Sequence, residues 1–149
     1  MQHDQQKLAY TLKEFMALAG VGRVDLAGLP PGAAALLLVK ASRAHAGPML
    51  VVTADTDAMR RTAESLRFFL GESDAARTEV LHFPSADTSP FLDVASDRRA
   101  TMDRLAALFH MAQGLPWRFL VVSAAALVRK VAPREAITSR SKWVRRSEE

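Results

Sequence analysis

The residues Gly28-Leu29-Pro30-Pro31-Gly32 stand between a short apolar run and a long alanine- and leucine-rich stretch. In a chain that alternates strand and helix, this is where a phosphate-binding loop belongs. Such a loop works through the backbone N–H groups of a glycine-rich turn, a lysine that reaches the terminal phosphates, and a Ser or Thr hydroxyl on Mg²⁺. Here Pro30 and Pro31 delete two N–H donors, no hydroxyl follows Gly32, and the next lysine, Lys40, lies well inside the following helix. The turn keeps the place of a nucleotide loop and lacks its chemistry, so no cofactor is expected on Gly28, Pro30, Pro31 or Gly32.

Other reactive residues form no local signature. The histidines His3, His45, His82 and His110 are far apart and match no metal-ligand spacing, and the chain has no cysteine. Asp55 with Asp57, and Asp93 with Asp97, fall at expected helix starts, where carboxylates cap exposed N–H groups. No nucleophile elbow is present to build a Ser-His-Asp set. Neither a catalytic nor a metal site is expected.

Charge points to a different kind of contact. Of the 20 Lys and Arg residues, seven lie in the last part of the chain: Arg129, Lys130, Arg134, Arg140, Lys142, Arg145 and Arg146. The rest of the chain is balanced, so the net +4 resides in this tail. Clustered cations of this kind contact nucleic acid by neutralising phosphates, or else form a solvated stretch. Arg98 and Arg99 belong to the polar face of a helix that also carries Asp97, Asp103 and Arg104. That mixture of signs suits solvent first and a nucleic acid or partner second.

The elements that must position these groups follow from periodicity. With 149 residues, 49% hydrophobic and 24% charged, the chain suits one soluble domain with a core of its own. A helix is expected over about residues 5–19, a first strand at VDLAGL (24–29), and a largely buried helix over 32–44. Met49–Thr53 reads as a central strand buried on both faces. A helix capped by Asp55 or Thr56 follows, with Met59, Ala63, Leu66 and Phe69 or Leu70 as its apolar stripe. Next come a strand at 79–83, an aperiodic loop at 84–96, and a helix to about Gln113 with Met102, Leu105, Leu108 or Phe109, and Ala112 inward. Phe119–Ser123 is the clearest strand, and a short helical turn runs on to Pro133. The fold class is therefore α/β, a mostly parallel sheet flanked by helices. Three parts are expected: an N-terminal helix (1–22), the α/β domain (23–133), and a basic tail (134–149) that begins a following, truncated domain. No apolar run is long enough for a membrane span and no leader pattern opens the chain, so a cytoplasmic location is expected.

Four stretches carry a family resemblance by their order and spacing: HAGPMLVVTAD (45–55), LHFPSADTSPFLDV (81–94), DRRATMDRLAALF (97–109) and FLVVSAAALVRKVAP (119–133). Over about residues 24–133 the chain resembles the N-terminal part of the transcription-repair coupling factor (Mfd) family. The resemblance implies the first domain of a module similar to the nucleotide-excision-repair protein UvrB. That is a helicase-type, P-loop-like three-layer fold whose ATP loop is degenerate. UvrB carries a long aromatic hairpin that clamps damaged DNA, and the short stretch between Phe83 and Arg98 leaves no room for it. The implied role is a non-catalytic scaffold beside a domain that recruits UvrA to stalled RNA polymerase. ATP, Mg²⁺ and most DNA contact would belong to motor domains elsewhere in the parent protein. The alternative is a small nucleic-acid-binding module acting through its basic tail.

Overall fold

The structure, a computed structural model, describes residues 25–71, 78–85 and 98–140. Its elements are α1 (Pro31–Ala44), β1 (Met49–Thr53), α2 (Thr56–Leu70), β2 (Val80–Phe83), α3 (Arg98–Ala112), β3 (Phe119–Ser123), α4 (Ala124–Leu127) and α5 (Arg134–Arg140). The three strands form a parallel sheet in the order β1-β3-β2. The chain thus moves two places across the sheet through α2 and returns through α3 to insert β3 in the middle. A reversal of direction between crossovers of one hand places the two helices on opposite faces.

Side-chain alternation in β3 shows these two layers directly. Phe119 and Val121 point into a cluster with Ala35 and Val39 of α1 and Met59, Ala63 and Leu66 of α2. Leu120 and Val122 point the other way, toward Ala107 and Leu108 of α3 and Ala126 of α4. Helices therefore flank a parallel sheet, as periodicity implied. The Asp55 cap is also present: its Oδ1 accepts from the Ala58 N–H at 2.7 Å. Gly71 closes α2 with φ +107°, a left-handed backbone conformation that L side chains rarely adopt.

Four expectations fail, each for a physical reason. Residues 25–29 form no strand; Leu26 and Leu29 are exposed and Gly28 turns the chain at φ +73°. Among the described residues no strand pairs with that run, and pairing decides a strand more than composition does. Second, among the described residues β1 is an edge strand and not a central one, with Leu50 56% and Val52 51% exposed. The central place goes to β3, and α3 covers only the β2–β3 part of that face. Third, α1 is buried along Ala35, Val39, Ala41 and Ser42 alone, and Leu36 is exposed. Fourth, Met102 and Leu105 of α3 point outward, while the small residues Ala100 and Ala107 face the sheet. A helix laid closely on a sheet selects small side chains at the contact, which a count of large apolar residues does not register.

The helix expected over 5–19, most of the loop 84–96, and residues 141–149 lie outside the described residues. The beginning of the tail is ordered as α5. Ile137 is buried, and the Arg134 guanidinium donates to the Ala112 carbonyl from Nη2 at 2.8 Å and Nε at 3.1 Å. A cation thereby meets the negative end of α3. No helix among the described residues is long and apolar enough to cross a membrane.

Candidate functional site

Parallel strands end on one side of the sheet, and the turns that follow them converge there. Thr53 closes β1, and its hydroxyl stands 3.2 Å from the Val122 carbonyl and 3.1 Å from that of Asp55. This pins the turn into α2. Thr56 on α2 meets Ser85, just past β2, hydroxyl to hydroxyl at 3.2 Å. Ser123 ends β3 fully buried, and its Oγ finds no hydrogen-bond partner among the described residues.

Thr56, Ser85 and Ser123 line a crevice of about 370 Å³, bounded also by Ala54, Asp55, Asp57, Arg60, Ala100 and Ala125. It lies where the chain leaves β1 toward one face and β3 toward the other, the position at which open α/β sheets hold ligands. Its chemistry is that of a polar seat. Asp55 is committed to its cap, and Asp57 stands 3.9 Å from Arg60 on an exposed helix face. Among the described residues, neither His nor Lys lines the crevice. Among the described residues no group of three or more His, Asp or Glu could hold a metal.

Beside the crevice, Arg104 lies 4.1 Å over the Phe83 ring and donates from Nη1 to the Pro84 carbonyl at 2.8 Å. Burial, and then the positive charge of Arg129, hold its pKa below the usual guanidinium value. On the outer side of β2, Arg67 donates from Nη2 to the Val80 carbonyl (2.9 Å) and to His82 Nδ1 (3.0 Å). His82 Nε2 in turn stands 3.1 Å from Asp103 Oδ2. At the opposite end of the sheet, Arg118 joins three elements by bonds to Glu79 Oε2 and the Ser42 carbonyl, both at 3.1 Å.

The residues singled out in the sequence are dispersed. Pro30 is extended (φ −60°, ψ 149°), α1 starts at Pro31, and a side chain at Gly28 or Gly32 would meet open space. Among the described residues this turn follows no strand, and it lines no part of the crevice. Arg98 and Arg99 stand exposed at the start of α3, and Arg129 and Lys130 are exposed after α4. Arg140 ends α5, its side chain outside the described residues along with Lys142, Arg145 and Arg146. Sequence reasoning missed Ser85, Ser123 and the Arg67–His82–Asp103 cluster. A hydroxyl closing an apolar strand was the available signal for Ser123, and an imidazole inside VLHF was the signal for His82.

Comparison with known proteins gives a consistent result. A transcription-repair-coupling factor from Myxococcus xanthus is 37% identical over 112 residues, which is 74% of this chain and 9% of that protein. Those from Mycobacterium bovis and Mycobacterium tuberculosis are each 33% identical over 125 residues, 84% of this chain and 10% of theirs. No family model matches the chain, and no solved structure matches it. The chain therefore spans about a tenth of the length of the curated relatives it matches. Over most of its own length, this α/β domain is related to a region of the transcription-repair-coupling factors.

Proposed function

We propose that this domain is a non-catalytic scaffold of a transcription-repair coupling factor, similar to the first domain of UvrB, and that it supports UvrA recruitment to stalled RNA polymerase. The observation that carries the reading is the match to coupling factors over 74% to 84% of the chain. It is supported by the sequence of the turn before α1, where two prolines, no lysine and no hydroxyl leave little with which to hold phosphate. It is supported also by the crevice, where the Asp55 carboxylate is committed to capping α2 and Asp57 stands 3.9 Å from Arg60. ATP and Mg²⁺ then belong to motor domains of the parent protein, through which RNA polymerase and DNA are engaged.

Two measurements test this. Calorimetric titration of the chain with ATP and Mg²⁺ is expected to give no binding heat, and micromolar affinity would sink the reading. In a parent coupling factor, deleting the region that matches residues 25–133 is expected to abolish capture of UvrA and leave ATP hydrolysis in place. Loss of hydrolysis with UvrA capture intact would be the opposite result.

A further inference from the structure

We propose that the outer face of α3, together with the segment 127–131 beside it, docks an acidic amphipathic segment of a partner protein. Arg98, Met102 and Leu105 stand at i, i+4 and i+7 on α3, so they share one face of the helix. That face is exposed, while Ala100 and Ala107 are buried on the opposite side against the sheet.

The chain after α4 continues the same surface. Ala126 packs in one cluster with Ala107 of α3, and Arg134 reaches the Ala112 carbonyl at the end of that helix. Residues 127–133 therefore run alongside α3, and Arg129 comes close enough to Arg104 to disfavour its charged form. The run exposes Leu127, Val128 and Val131, with Val128 at 86%, and between them the cations Arg129 and Lys130. Apolar side chains gathered in this way on a surface mark a site of interaction.

The sign of the charge narrows the partner. Between residues 98 and 140 the only acids are Asp103 and Glu135, and Asp103 stands 3.1 Å from His82 on the sheet side. A complementary partner must therefore bring carboxylates or phosphates. A second copy of this chain in a two-fold contact would set the same cations against each other. The apolar half decides between the two anions. Met102, Leu105, Val128 and Val131 offer nothing to a phosphate backbone, and neither 98–108 nor 124–134 contains an aromatic residue on which a base could stack. They match the apolar stripe of a protein segment that carries carboxylates around it. Met102 suits such a seat, because an unbranched thioether adapts to varied shapes.

The test uses the 149-residue chain and a designed peptide with leucines at helical i, i+3 and i+4 spacing and glutamates elsewhere. A scrambled peptide of the same composition keeps the charge and loses the apolar face. In nitrogen-15 amide spectra the designed peptide is expected to shift residues of α3 and of 126–132 saturably. It is expected to bind about tenfold more tightly than the scrambled one. Met102→Ser combined with Val128→Ser is expected to remove that advantage, with far-ultraviolet circular dichroism to check that the variant is folded. Equal binding of the two peptides, no binding, or saturable shifts confined to other parts of the chain would overturn the proposal. Duplex DNA that binds the same residues more tightly than the designed peptide would replace it with a nucleic-acid surface. The wild-type titrations decide this on their own should the double variant fail to fold.

Discussion

The Arg104 guanidinium lies 4.1 Å over the Phe83 ring while its Nη1 reaches past the ring to the Pro84 carbonyl. One side chain of α3 thus closes the carboxyl end of β2 by stacking and by a charge-assisted hydrogen bond. Arg104→Ala is expected to lower stability by about 2 kcal/mol in urea unfolding, from the lost cation–π contact and the orphaned Pro84 carbonyl. Arg104→Lys is expected to recover about half of that, since an ammonium keeps the charge and loses the planar stack. Equal losses for Ala and Lys would show that charge contributes nothing there.

Asp55 begins α2 by accepting from Ala58 N–H at 2.7 Å. Asp55→Ala is expected to cost about 1 kcal/mol, and Asp55→Asn only a few tenths, because the amide oxygen also caps. Thermal unfolding of the two variants checks this, and Asn no better than Ala would refute the capping role.

Two apolar truncations distinguish a covered face from a bare one. Met59→Ala removes a side chain of 0% exposure from the cluster beneath α2 and is expected to cost about 2–5 kcal/mol. Leu50→Ala, at a site 56% exposed on the edge strand, is expected to stay within about 0.5 kcal/mol. A large loss at Leu50, measured on the 149-residue chain, would show that something else covers β1.

Any binding of duplex DNA by the basic residues is expected to weaken linearly in log affinity against log salt. Truncation after Ser141 removes Lys142, Arg145 and Arg146 and leaves α5 docked through Arg134 and Ile137. If all three meet phosphates, the slope falls by about 2.7 in magnitude. An unchanged slope places the contacts among the basic residues that remain, Arg98, Arg99, Arg129, Lys130 and Arg140.

Much of the scaffold was legible before any coordinates. FLVVS and MLVVT are apolar runs bounded by turn residues, and the Met59–Ala63–Leu66 stripe repeats at helical spacing, so two strands and α2 follow from pattern alone. The run 24–29 misled because it has strand-like composition without a partner. Strand formation depends on pairing more than on local preference. Met102 and Leu105 misled because large apolar residues imply a buried face, whereas here alanines make the contact and the large side chains stand outside.

The candidate site was legible in its local parts alone. The sequence by itself determined that Pro30 and Pro31 offer no backbone N–H in any fold, and it narrowed the cap of α2 to Asp55 or Thr56, a contact three residues long. Tertiary structure alone decided that β3 lies between β1 and β2, which brings Ser85 and Ser123 to one crevice. It alone decided that Arg67, His82 and Asp103, from three different elements, meet at one edge. Local propensity acts over a few residues, while strand order and helix placement arise from burial summed over the whole chain. Chemistry that depends on them cannot be read from neighbours in the sequence.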